Sequence, residues 1–156
     1  MMIFLFCLLN LISLGLVILT FRIEAGRLRI ALQMLLLAFL VWSDGLLLLF
    51  QPWFPDVWLA YVARGMFAGA TATLILFAVF VALFCNHQDL FRKPVFLLVE
   101  LIALIFFVLC FTDGIVKRAE VTSSGFLRLH YGFLQPMFVI FFWAAGVWLH
   151  TIMFRA

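Results

Sequence analysis

Residues 58–85 read WLAYVARGMFAGATATLILFAVFVALFC, an apolar run long enough to cross a bilayer and interrupted by one charge, Arg64. A helix spans the hydrocarbon core with about 20 apolar residues. A charge inside such a span is costly, so it turns toward protein, water or a partner. The run also carries Ala60, Gly65, Ala68, Gly69 and Ala72, small residues that let a neighbouring backbone come close. The pattern predicts a central, protein-facing helix with its tightest packing at Gly65 and Gly69.

The rest of the chain has the same character. Hydrophobic residues make up 69% and charged residues 11% of the 156, and mean hydropathy is +1.30. A soluble domain is nearer half apolar and a quarter charged. Too few polar groups remain to cover a globule in water, so the expectation is an integral membrane protein whose first partner is the lipid bilayer. The net charge of +3 sits in short loops, where membrane topology accounts for it, and is no footprint of nucleic acid. Cys7, Cys85 and Cys110 have no CxxC spacing. They read as thiols behaving as small hydrophobes, with a Cys7–Cys110 bridge as the alternative. The opening MMIFLFCLLNLISLGLVILT has neither a basic leader nor a small-residue cleavage site. It reads as a retained first helix.

Five apolar runs, at about 2–20, 30–50, 58–85, 95–112 and 131–154, predict one all-α domain over 1–156. The expected architecture is a bundle of five transmembrane helices with one short hairpin-like outer loop. Between the second and third runs, QPWFPDVW has Pro52 and Pro55 to stop one helix and start the next. Trp53, Trp58 and Tyr61 suit the interfacial belt. Arg22, Arg27, Arg29, Arg92, Lys93 and Arg155 fall on one side of the alternation. The positive-inside rule makes that side cytoplasmic, with the N-terminus outside and the C-terminus inside. Lys117, Arg118 and Arg128 then lie outside, against the rule. They belong to the loop DGIVKRAEVTSSGFLRLHYG, where Ser123-Ser124-Gly125 is a turn signal between strand-like stretches. That loop is either a packed connection or a lid.

Asp44 and Arg64 lie at similar distances from the turn that joins the second and third helices, about 10 Å inside the outer boundary at 1.5 Å per residue. Equal depth predicts an Asp44–Arg64 pair. Two roles fit it: a structural neutralisation that fixes helix register, or a ligand-facing site. Glu100 and His150 have matching depths near the other face and could form an inner polar contact. Asn10, Gln33 and Gln135 are suited to hydrogen bonds between helices, and Gln135-Pro136 to a bend in the fifth helix. Cys85, His87 and Asp89 match no zinc spacing. No nucleophile elbow, phosphate loop, HExxH or haem-attachment motif occurs. No catalytic residue, metal or cofactor is therefore expected, and the chain reads as a non-enzyme.

The order of landmarks resembles the N-terminal seven-helix membrane region of many bacterial sensor histidine kinases. The residues that carry the likeness are RLRIALQMLLLAFLVWSDGLLLLF with Trp42, a third helix opening on aromatics and an arginine, and HYGFLQPMF with Tyr131, Gly132 and Pro136. The resemblance implies a bacterial inner-membrane sensor with an outer pocket near Trp42, Tyr131 and Gln135. Five of that family's seven helices are accounted for, and its phosphoacceptor helix and ATP-binding glycines are not, so any kinase activity would lie outside these residues. The expected function is a sensory or signalling module. It would pass a stimulus sensed near Asp44, Arg64 and the 113–131 loop to a cytoplasmic partner or output domain. An accessory subunit of a larger membrane complex, or a channel or transporter protomer, are the alternatives. In each case other membrane chains or further copies of this one are the expected partners.

Overall fold

The computed structural model describes residues 2–22, 26–49, 51, 55–86, 88–122 and 127–155. The chain is mostly helical: α1 (Met2–Thr20), α2 (Arg27–Leu49), α3 (Asp56–Phe84), a short 3-10 turn (Gln88–Arg92), α4 (Pro94–Leu109) and α5 (Gln135–Arg155). Strands β1 (Val116–Val121) and β2 (Leu127–Tyr131) form an antiparallel hairpin between α4 and α5. The helices match the apolar runs to within a few residues except the fifth. There residues 131–134 belong to the hairpin and its exit, and α5 begins at Gln135. Pro136 stands in the first turn, where its missing N–H is no loss, so it starts α5 and the expected bend gives way to a helix start.

Three helices, α2, α3 and α5, are long and apolar enough to cross a membrane; α1 and α4 contribute shorter apolar stretches, residues 7–20 and 94–109. Helix ends follow local chemistry. Pro55 precedes α3 in an extended conformation, and Pro94 opens α4. Asn86, with φ 53°, takes the left-handed turn just past α3.

Helix α3 is the hub. It packs against α2, α4, α5, the 3-10 turn and β1, whereas α1 lies chiefly on α2. Two clusters of buried side chains run along it. At one end Leu59, Ala63 and Met66 meet Leu49, Phe106, Ile115, Val116 and Phe138. At the other, Leu74, Ala78 and Ala82 meet Leu90, Phe96, Ala145 and Leu149. The hairpin and the α2–α3 turn thus share one end of the bundle.

The α2–α3 seam shows why small residues are needed and where. A Cβ on Gly69 would stand 2.9 Å from the Trp42 backbone nitrogen, and one on Gly45 would stand 2.9 Å from Met66 Cβ. These two glycines, one per helix, set the closest approach. Gly65, expected to share this role, has open space where its side chain would be. It lies one turn before Gly69 on nearly the same face, about 40° round the helix, at a level where no neighbour comes within 4 Å.

Candidate functional site

The polar centre of the molecule lies where the hairpin meets α3. Helix α4 ends at Leu109, whose C-terminal carbonyl accepts from both the Thr112 backbone N–H at 3.0 Å and the Thr112 hydroxyl at 2.7 Å. The Thr112 hydroxyl oxygen also accepts from Gly114 N at 3.2 Å. The base of the hairpin is then closed by Gly132 N to Ile115 O at 2.9 Å and Leu134 N to Gly114 O at 3.0 Å. Gly132 has to be glycine: a Cβ there would lie against the carbonyl oxygens of Asp113 and Gly114, closer than real Cβ atoms come. Ile115 and Val116 bury completely beneath the hairpin.

Arg64 reaches this base from α3. Its guanidinium pairs with the Asp113 carboxylate, donates from Nε to Val116 O at 3.0 Å, and sends Nη2 toward Lys117 O at 3.4 Å. Lys117 lies at a break in the register, between Val116 opposite Tyr131 and Arg118 opposite His130. Such an irregularity leaves an extra residue out of the ladder. Tyr61, one turn earlier, has its ring 6.0 Å below the Arg64 guanidinium carbon. The Arg64 side chain is 16% exposed and that of Asp113 73%. The cation is therefore enclosed, and its carboxylate partner faces out.

This corrects the expected Asp44–Arg64 pair, which does not form. Met66 and Gly69 face α2, and Arg64 lies about 200° round α3 from Met66, on the far side. Helical side chains also lean toward the N-terminus, here toward the hairpin end. Asp44 instead accepts from the Asn10 amide of α1, and the Asn10 carbonyl oxygen accepts from Ser43. This small polar clasp ties α1 to α2, so Asn10 fills the interhelical role expected of it. Gln33 does not: its amide nitrogen is buried with no partner among the described residues.

Glu100 and His150 do not meet either. His150 donates from Nδ1 to the Gly146 carbonyl at 2.8 Å, and its ring lies 5.2 Å from Phe77 of α3. Helices α4 and α5 face each other through rings, Phe106 with Phe138 and Phe141, and Phe96 with Trp148. Aromatic bulk fills the ground a polar contact would have occupied. Of the expected outer-pocket residues, Trp42 lines a cavity of about 170 Å³ with Met66, Phe67 and Phe138. Tyr131 sits edge-on to Phe67 at 6.4 Å, and Gln135 starts α5. The three cysteines are free, with Cys7 exposed and Cys110 buried. The turn at 123–125 and His87 fall outside the described residues.

On the hairpin, Glu120 meets Arg118 at 3.3 Å and His130 Nε2 at 2.9 Å. The hydrogen bond from His130, helped by the charges of Arg118 and Arg128, holds the Glu120 carboxyl below its usual range.

Asp113 is the residue that sequence reading undervalued. It was visible only as one acid in a basic loop. Its meeting with Arg64, 49 positions away, depends on the loop folding back over α3. Comparison with family models, with curated proteins and with solved structures returned no match.

Proposed function

We propose that the chain is a non-enzymatic, five-helix integral membrane module that carries a signal from its hairpin face to the opposite face. The carrying observation is the latch. Arg64, on the helix that touches every other helix except α1 closely, is held by the base of the outer hairpin. A stimulus that moves the hairpin pulls on α3 directly, and α3 packs on α2, α4 and α5 along its length. The likeness to the membrane region of sensor kinases agrees with this reading. The hairpin face is outside and both the 21–26 and 86–93 connections are cytoplasmic, following the excess of Arg and Lys in the latter.

The test uses Asp113→Asn and Arg64→Gln as unlatched states. Spin labels on Cys85 and on Thr151→Cys, in a Cys7→Ser, Cys110→Ala background, report the inner spacing of α3 and α5 in lipid nanodiscs by pulsed electron resonance. Unlatching is expected to shift or broaden that distance distribution. Identical distributions in latched and unlatched protein would refute transmission through α3.

One observation favours the accessory-subunit reading. Glu100 lies on α4 among exposed Leu97, Leu101 and Leu104 and has no hydrogen bond or ion pair among the described residues. A carboxyl on an apolar helix calls for a partner. Recovery of a stoichiometric membrane partner in mild detergent, lost in Glu100→Leu, would establish that reading.

A further inference from the structure

Two polar groups in the apolar part of the bundle lack a partner, and they complement each other. Glu100 of α4 stands at the edge of the exposed stripe Leu97, Leu101, Leu104 and Val108, and its carboxyl group accepts from no described residue. Trp143 of α5 is exposed on the wall of a groove of about 650 Å³ between α3 and α5, and its indole N–H donates to no described residue. Trp143 lies about 12 Å from the outer end of α5, too deep for the interfacial belt that usually satisfies an indole. Either group left bare in hydrocarbon is costly.

One chain cannot join them. Phe141 faces Phe106 of α4, and Trp143 is about 200° further round α5, opening into the groove on the far side. Yet the two stand at one level. Ring contacts set Phe96 beside Trp148, and Phe106 beside Phe138 and Phe141. Interpolated along the two antiparallel helices, the Glu100 side chain is level with about residue 144, next to Trp143. Copies inserted with one orientation in one bilayer keep that level, so Glu100 of one copy matches the depth of Trp143 of the next. The groove also has room. A Cβ on Gly146, one turn from Trp143, would meet nothing within 4 Å, and a bare backbone at such a point lets a helix come close.

We infer that the occupant of the α3–α5 groove is α4 of a second copy, its Leu97–Leu104 stripe seated against Gly146 and its Glu100 carboxyl group accepting from the Trp143 indole N–H. The contact is head-to-tail, since the two surfaces lie on different sides of the bundle, so copies add into a ring. The inference rests on the membrane reading of the bundle, and it names a further copy of the chain as the partner that Glu100 calls for.

The test uses the full chain in lipid vesicles. Copies labelled at Cys85 with donor or acceptor dyes, in a Cys7→Ser, Cys110→Ala background, are reconstituted together, and energy transfer is followed as lipid is added. Transfer is expected to follow a saturable association curve above the level of random crowding. Glu100→Leu and Trp143→Phe should each weaken association about fivefold, the worth of one interhelical hydrogen bond in lipid, and the double variant no further. Gly146→Leu, which fills open space in the groove, should abolish it. In a cysteine-free background, a mixture of Leu97→Cys and Val147→Cys chains should oxidise to a mixed disulfide, and a chain carrying both should give a ladder beyond the dimer. Transfer at the crowding level at every lipid ratio overturns the proposal and leaves the groove to lipid. If such a monomeric chain still retrieves a different membrane protein through Glu100, this proposal fails and the accessory-subunit reading stands. A loss with Glu100→Leu but not with Trp143→Phe overturns the pairing, and a ladder that stops at the dimer overturns the head-to-tail contact. The dilution series on the labelled parent decides the main point whether or not any further variant folds.

Discussion

Breaking the latch at its two ends should have unequal effects, because the two ends differ in exposure. Arg64 is enclosed and bonds to a buried segment of backbone, whereas Asp113 is largely exposed. An ion pair open to water on one side is worth about 0–1 kcal/mol. A hydrogen bond from a charged donor to a shielded carbonyl is worth about 1.5–3 kcal/mol. Asp113→Asn removes only the first and should cost about 0.5 kcal/mol. Arg64→Gln removes both and should cost about 2–3 kcal/mol. At roughly 2–4 °C per kcal/mol for a chain of this size, the arginine variant should melt roughly 4–12 °C lower and the aspartate variant within about 2 °C of the parent. Thermal unfolding in mild detergent, followed by circular dichroism, measures both. The double-mutant cycle localises the effect: Arg64 and Asp113 should couple by about 0.5–1 kcal/mol, and Arg64 and Asp44 by less than about 0.5 kcal/mol, as groups without a shared partner do. Equal losses at Arg64 and Asp113, or a larger coupling of Arg64 to Asp44, would refute the reasoning.

Other outcomes follow from the same geometry. Gly69→Ala should destabilise, because its Cβ meets the Trp42 backbone at 2.9 Å, whereas Gly65→Ala, with open space, should be neutral or stabilise by up to about 1 kcal/mol; denaturant midpoints of the two variants separate them, and a reversed order would contradict the α2–α3 seam. Gly132→Ala drives a Cβ into two carbonyl oxygens and should leave little folded protein, read by size-exclusion yield after solubilisation. Asn10→Leu removes the donor to Asp44 and should loosen α1 from α2 at a cost of about 1–3 kcal/mol, seen as faster proteolysis in the 21–26 connection. The Glu120 carboxyl is held low by His130, so its contribution to the hairpin is complete above the ordinary carboxylate value of about 4.5 and is lost as pH falls through the lowered folded value. Amide exchange of β1 and β2 should accelerate below that point, and Glu120→Gln should flatten the dependence.

The likeness between expected and observed helices comes from one-dimensional information. A run such as 58–85 is helical and central because its length, apolarity and small residues say so without reference to any other segment. Pro55 and Pro94 mark helix starts for the same local reason. Gly65 and Gly69 looked equivalent in that light. Only the level at which α2 comes closest to α3 separates them, and it promotes Gly45, which no pattern in its own run singled out.

The charges show the boundary most clearly. Depth along the membrane normal can be counted in residues from a turn, and that count alone suggested the Asp44–Arg64 pair. Azimuth cannot be counted, because it depends on which face each helix turns to its neighbour. The two residues point to different sides of their helices, so Asp44 found Asn10 and Arg64 found the loop. The amino-acid sequence alone determined an apolar helical bundle with α3 at its centre and an arginine in need of a partner. The tertiary structure decided which partner, by folding the loop between α4 and α5 back over the helix end, where an arginine's long side chain, leaning toward its own N-terminus, could reach the loop backbone and a carboxylate 49 residues away.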